Sequence, residues 1–306
     1  MDRRQFVGAL AAGTAVAAYS GAAEAARPDI SRLRTRQVGP IEILWRTPHT
    51  KPNGLDVTPE GMWIIDQGPE NIASLVNPEN GQLIREFRTQ NVQSASGICV
   101  AEDGVMWIGS TYNRLIVAIN HTTGQTIATY TTPGAGVIYR QVGDAPGRRT
   151  NLEPAYPTRA LPPPNPRTDR GTGGRNLQGT VSLDVGQAPA GTGAHCPLSK
   201  GNLLYVNVPP SRSIFVIDKT TWVVQDEFPV AGSRPHDMTW ADDSKRQIWC
   251  SDSNLNAFFL HDATTGQMSQ RLQLPDDSPV IHGAKIYNGY MYCCDDVGWM
   301  FRFRMP

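Results

Sequence analysis

The residues best suited to chemistry in this chain are three histidines that share one setting. They occur as Gly-Ala-His195-Cys-Pro, Arg-Pro-His236-Asp-Met and Val-Ile-His282-Gly-Ala, at steps of 41 and 46 residues. Two earlier segments put Asn53 (Lys-Pro-Asn-Gly-Leu) and Ser96 (Ala-Ser-Gly-Ile) at the same place, 43 residues apart. Three neutral imidazoles brought together would hold a divalent ion and leave a coordination position open to water or substrate. Zinc is the first choice, with Fe, Mn, Co, Ni or Mg also compatible with the donors. Two other readings stand beside this one: a metal-free catalytic or binding cluster, and histidines copied with the repeat for packing.

Such a site needs charge and proton carriers. Lys51 and Arg234 each sit two residues before one of the register positions. In a strand that spacing places them on the same face. There a cation would clamp a carboxylate or an oxyanion. Tyr139 is a further proton carrier, so Lys51, Tyr139 and Arg234 form the predicted catalytic set. Asn53, Ser96 and Arg140 form the predicted substrate-binding set. His49 lies a few residues before the first unit and is expected near the same mouth. His121 and His261 fall in outer hairpins and are expected to face solvent with structural roles. Asp237 and Cys196 directly follow a histidine and are expected to point the other way.

The elements that must position these residues are legible as repeats. Gly54-Leu-Asp-Val-Thr-Pro-Glu-Gly-Met-Trp63-Ile-Ile-Asp66 is a strand, a turn and a strand. The pattern returns around Trp107, Trp249 and Tyr292. Third and fourth strands follow, joined by turns such as Asn80-Gly81 and Thr265-Gly266, where glycine accepts positive φ. Four antiparallel strands in repeats of about 40–45 residues predict propeller blades whose first strands line a central channel. Trp63, Trp107, Trp249 and Tyr292 are read as packing between blades. Asp66, Asp252 and Asp295 are read as carboxylates that accept backbone N–H groups in the following turn. The last unit stops after three strands, and Ile41-Glu-Ile-Leu-Trp45-Arg46 supplies a spare one to close the ring and cover its edge.

From Ser96 to His195 is 99 residues, about two repeats. Residues 133–194 are rich in Pro, Gly and Arg. A blade running from Gly136-Val-Ile-Tyr139-Arg140 to about Val185 would make six. Five blades with a long insert is the alternative, and a disordered insert is a further reading.

Composition narrows the classes. The chain has 306 residues, with 28 basic and 28 acidic side chains and no net charge. Nothing in that balance favours nucleic acid or an anionic surface as a partner. Asp2-Arg3-Arg4-Gln5-Phe6-Val7, a weakly apolar stretch and Ala23-Glu24-Ala25 read as a twin-arginine export signal over residues 1–25. Residues 26–306 are then one propeller domain, periplasmic or secreted, with no membrane span. The export machinery is an expected partner. Of the five cysteines, which include no Cys-x-x-Cys pair, Cys250 and Cys293 fall at equivalent strand points and read as buried small residues, with a strained Cys293–Cys294 disulfide as the alternative.

The motifs Pro-His236-Asp-Met, Ile-His282-Gly-Ala, Pro-Asn53-Gly-Leu and Ser96-Gly-Ile resemble the Pro-His-Gly-Ile segments that open blades in streptogramin lyase-like (virginiamycin B lyase-like) propellers. NHL and SMP-30-type propellers share the general pattern. The resemblance implies the propeller fold, a divalent metal and elimination next to an activated carbonyl that opens a lactone. The lyase's His/Glu constellation has no residue-by-residue match here. One histidine from each of three blades is also similar to the zinc site of peptidyl-hydroxyglycine amidating lyase. SMP-30-type lactonases use a Glu/Asn/Asn/Asp shell, of which only Asn53 has an echo. The leading expectation is a metal-dependent lyase or hydrolase acting on a small ester, lactone or related carbonyl substrate. The alternative is a non-catalytic binding propeller.

Overall fold

A computed structural model of the chain describes residues 29–134, 193–232 and 234–306. Two N-terminal strands, β1 (Arg34–Gln37) and β2 (Glu42–Arg46), precede the repeats. The first sheet is β3 (Pro52–Thr58), β4 (Gly61–Asp66), β5 (Ile72–Val76) and β6 (Leu83–Arg88). The second is β7 (Ala95–Val100), β8 (Val105–Ser110), β9 (Leu115–Asn120) and β10 (Thr126–Thr131). The third is β11 (Pro197–Lys200), β12 (Leu203–Val208), β13 (Ser213–Asp218) and β14 (Val224–Pro229). The fourth is β15 (Pro235–Trp240), β16 (Gln247–Asp252), β17 (Ala257–Asp262) and β18 (Met268–Gln273), with β1 added in parallel at its outer edge. The fifth is β19 (Ala284–Tyr287), β20 (Tyr290–Cys294) and β21 (Trp299–Arg304), completed by β2.

Each blade follows from its sequence. The inner strands are buried on both faces, and β4 and β8 carry unbroken apolar runs. The outermost strands β6 and β10 alternate exposed and half-buried residues, as one-sided strands must. The β17–β18 hairpin is held by Asp262, whose carboxylate accepts the Thr264 and Thr265 N–H groups at 2.9 and 2.8 Å.

Ring formation rests on the second strands. Trp63 packs among Ala95, Ile98 and Met106 of the next blade, and Trp107 among Leu204, Val206 and Phe215 of the third. Tyr205 meets Met238 and Ile248, and Trp249 meets Ala284, Met291 and Phe301. Tyr292 closes the circle against Leu55 and Met62 of the first blade. The four repeated aromatics therefore pack between blades, as their spacing suggested. Emptying one such position typically costs about 3–5 kcal/mol.

The described residues form five blades, not six. Blades two and three pack directly on each other, with the Gly97 Cα position facing Cys196 so closely that a Cβ there would lie 2.5 Å from the Cys196 Cα. A Cβ on Gly109 would likewise collide with the His195 carbonyl. No further sheet fits between surfaces in such contact. The Ser96–His195 interval is about two repeats long, yet the five sheets close the ring without residues 135–192. The blade expected over 136–185 lies outside the described residues. The closing strand is as expected: β2 pairs antiparallel with β21, Glu42 opposite Arg302 and Ile43 opposite Phe301.

Candidate functional site

The first strands β3, β7, β11, β15 and β19 surround the axis, and His195 precedes β11 by two residues while His282 precedes β19 by two. His236 is the second residue of β15. This shared register brings the rings together. The His195 and His236 centroids are 4.6 Å apart, and those of His236 and His282 are 4.3 Å apart and stacked. All three are buried.

Each imidazole has one committed nitrogen and one orphan. His282 Nδ1 lies 2.9 Å from Asn53 Oδ1. The Asn53 amide nitrogen faces the Ala95 carbonyl at 3.0 Å and Ser96 Oγ at 3.1 Å. A carbonyl can only accept, so that contact fixes the amide with Oδ1 towards His282. His282 Nδ1 must then carry the proton, and Nε2 holds the lone pair. His195 is hydrogen-bonded to the Pro235 carbonyl and His236 to that of His282. Their Nδ1 atoms, like His282 Nε2, are buried without a hydrogen-bond partner.

Burial is the main reason these rings stay neutral. It lowers His195 to about 3, helped by the nearby Arg234 charge. His236 and His282 are held well below the ordinary histidine value by burial, by neighbouring imidazole and by Arg234.

The other expected residues divide. Arg234 is half-buried, and it is the cation whose charge bears on all three rings. The backbone N–H of Lys51 donates to Asp66 Oδ2 at 2.7 Å, and the Lys51 charge acts on that carboxylate. Asn53 has both amide hydrogens committed within the protein, so it orients His282 and does not reach out to a substrate. Ser96 continues the same network, its hydroxyl 2.6 Å from that of Thr111, which donates to the Ala194 carbonyl at 3.0 Å. Tyr139 and Arg140 lie outside the described residues. His49 turns to the outer strand of its blade, where Nε2 is 2.8 Å from Glu86 Oε2. His261 does not face solvent; it is buried, with Nδ1 3.2 Å from the Gly266 carbonyl.

Two acidic residues escaped the sequence reading. Asp237, expected to point away from His236, makes no hydrogen bond to the three rings, but it is fully buried. Its Oδ2 accepts the Leu55 N–H at 3.1 Å and the Ala284 N–H at 2.7 Å, from blades one and five. Opposite faces of an innermost strand both meet neighbouring blades, and β15 also shifts register between Pro235 and Met238. Burial pushes the Asp237 carboxyl up to about 6. The second is Asp296, whose Oδ2 lies 3.8 Å from His282 Nε2. The repeated Asp66 and Asp252 behave as read: Asp252 accepts the Arg234 and Leu255 N–H groups at 2.8 and 2.9 Å. All five cysteines are buried free thiols.

The donors suit a divalent cation, since three buried nitrogens carry unpartnered lone pairs. Among the described residues no group of three or more His, Cys, Asp or Glu is placed to hold a metal ion.

The site defines the class: a five-bladed propeller with a neutral histidine cluster at the centre of its ring. No protein-family model matches the chain, and no curated protein matches it. Among solved structures it is similar to the glutaminyl cyclase of Myxococcus xanthus, with a TM-score of 0.54 and 11% identity over 89% of this chain and 97% of that one. It is also similar to selenomethionine-substituted virginiamycin B lyase from Staphylococcus aureus, with a TM-score of 0.43 and 14% identity over 87% of this chain and 74% of that one. The WD40 propeller domain of Doa1 matches at a TM-score of 0.45 and 10% identity over 82% of this chain and 63% of that domain's chain. The streptogramin lyase propeller is thus among the structural neighbours, as the blade-opening motifs suggested. The likeness to the glutaminyl cyclase, at 11% identity, extends to the fold alone.

Proposed function

We propose that this protein is an exported, metal-dependent propeller enzyme, a lyase or hydrolase of small esters, lactones or related carbonyl compounds. The observation that carries the reading is the set of orphaned lone pairs on His195 Nδ1, His236 Nδ1 and His282 Nε2. Three unpartnered polar atoms at one buried place are costly unless something occupies the space between them. His195, His236 and His282 would be the residues that hold a divalent ion. Such an ion supplies Lewis acidity towards a carbonyl or a water molecule. Arg234 places a fixed cation beside the cluster, suited to a substrate carboxylate or a developing oxyanion. Asn53 holds the His282 ring in one tautomer, the role that outer hydrogen bonds play for metal-bound imidazoles. The twin-arginine-like N-terminus supports export, and export of a folded protein suits a centre loaded before transport.

A second reading is a metal-free propeller that binds a ligand through the same cluster, and the absence of a preformed cage among the described residues favours it. Metal content by mass spectrometry separates the two. About one ion per chain in the purified protein, lost in His236→Ala, supports the enzyme and directs assays to lactones and esters. No ion in either protein after incubation with divalent metals rules the metal enzyme out.

A further inference from the structure

We propose that the cleft at the seam between blades two and three binds a guanidinium group, carried by the arginine side chain of a peptide or by a free guanidino compound. This cleft shares no residue with the histidine cluster. The chain supplies its own template at the seam between blades one and two. There Arg85 stands opposite Leu75, which stands opposite Trp63. The Arg85 guanidinium lies over the Trp63 ring, 5.1 Å from its centroid. One of its nitrogens donates to Glu60 Oε2 at 2.6 Å and another to the Thr122 carbonyl of blade two at 3.3 Å. The fifth blade uses a related pairing: Arg302 lies 5.5 Å from the centroid of the Tyr292 ring and donates to Glu42 Oε2 at 2.9 Å. An aromatic face, a carboxylate and a neighbouring carbonyl together favour a planar cation with several N–H donors.

At the next seam the same parts recur without the arginine. Trp107 stands opposite Ala118, and Ala118 opposite Ala128, so Ala128 holds the position of Arg85. Asp103 precedes the turn glycine Gly104 as Glu60 precedes Gly61. Thr220 matches Thr122: each donates its N–H at 2.9 Å to the side chain two residues earlier, Asp218 Oδ1 and Asn120 Oδ1. A methyl group is too short to cover the indole. A cleft of about 400 Å³ opens there, and its lining includes Asp103, Trp107, Tyr130, Asn202, Lys219 and Thr220. That is the size of a small-ligand site. Tyr130 is backed by Trp222, whose ring stacks on it with centroids 3.9 Å apart. Trp222 adopts φ 55° at the hairpin position that Gly81, Gly124 and Gly266 hold in other blades. Left-handed backbone is costly for so bulky a residue, and here it places a second ring behind the cleft wall. Lys219 Nζ stands 3.8 Å from Asp103 Oδ2, beyond hydrogen-bond range, and donates to Ser199 Oγ at 3.2 Å. Asp103 Oδ1 accepts the Val105 N–H at 3.0 Å, so Oδ2 is the oxygen left for an incoming donor. Ile127 also lines the cleft, is 58% exposed, and offers apolar surface to the methylene stem of an arginine.

The test is titration of the full chain with N-acetyl-arginine amide, N-acetyl-lysine amide and methylguanidinium, followed by the tryptophan indole N–H signals in nuclear magnetic resonance. Thermal melts verify the folding of each variant. The arginine derivative is expected to shift the Trp107 signal and to leave that of Trp63, which Arg85 covers, unmoved. The lysine derivative should bind at least about tenfold more weakly, because an ammonium cannot stack on the indole and donate in its own plane to a carboxylate and a carbonyl. Asp103→Asn keeps an oxygen for the Val105 N–H and should weaken binding at least about tenfold. Ala128→Arg should supply the guanidinium from within, abolish binding and raise the melting temperature. Tighter binding of the arginine derivative than of methylguanidinium assigns the cleft to a peptide-borne arginine; equal or tighter binding of methylguanidinium assigns it to a free guanidino compound. No shift of Trp107 with either guanidinium, equal affinity for the lysine derivative, or unchanged binding in Ala128→Arg would overturn the site.

Discussion

His282 Nδ1 and Asn53 Oδ1, from residues 229 positions apart in sequence, meet at 2.9 Å across the seam between the last blade and the first. The bond is the first link of a chain through Ser96 and Thr111 to the Ala194 carbonyl, so blades five, one, two and the segment leading into three are joined around the site. Ring closure and imidazole orientation are the same event in this protein.

Replacing Asn53 with Leu should therefore do two things. It removes the acceptor of the His282 proton and the donor to Ala95, at a cost of about 1–3 kcal/mol in a buried site. It also frees the ring to change tautomer. Urea unfolding should show the loss of stability, and nitrogen chemical shifts of the labelled imidazole should show a mixture of tautomers where wild type shows one.

Asp237 joins blades four, five and one through Met238, Ala284 and Leu55 N–H groups. Asp237→Asn replaces one accepting oxygen with a donor, so at least one buried N–H loses its partner. Stability should fall by about 1–3 kcal/mol with little change in the cooperativity of unfolding. An unchanged urea midpoint would show that the cross-ring bonds are dispensable.

His261 gives a pH dependence whose sign can be worked out. Burial lowers its pKa in the folded protein to about 4. An unfolded histidine protonates near 6.5. Between those values the unfolded chain takes a proton that the folded one refuses, so acidification destabilises the native state. His261→Gln removes this penalty. The stability of the variant relative to wild type should rise by about 1.4 kcal/mol per pH unit as pH falls from about 6 to about 4.5, with no trend above pH 7. Chemical denaturation at several pH values checks it.

Closure of the ring by β2 can be probed without touching the site. Gly81 sits at φ +72°, and a Cβ there would lie 2.5 Å from the Trp45 ring. Trp45 itself donates to the Pro78 carbonyl at 3.3 Å. Gly81→Ala should destabilise by about 1–3 kcal/mol through strain and displaced packing. Limited proteolysis should then cut near residues 40–47 sooner than in wild type.

The sequence by itself determined the repeat, and with it the propeller. Apolar alternation, a Gly turn and a recurring Trp or Tyr are local properties of each unit, so Trp63, Trp107, Trp249 and Tyr292 could be read as inter-blade packing before any blade was placed. The shared register of His195, His236 and His282 was equally legible, because a position repeated along the chain becomes a position repeated around an axis. The closing strand was legible too, since a unit short of one strand leaves an edge that must be covered. The tertiary structure decided what depends on contacts between units. The number of blades followed from Gly97 and Gly109 packing against Cys196 and His195, a close approach that counting residues could not reveal. Asp237 is tied to blades one and five because both faces of an innermost strand meet other blades, which strand alternation on its own does not show. Asp296 comes within 3.8 Å of His282 only through the turn that closes the last blade. Local pattern specifies each blade; the angle at which blades pack decides how many close a ring and which polar atoms meet at its centre.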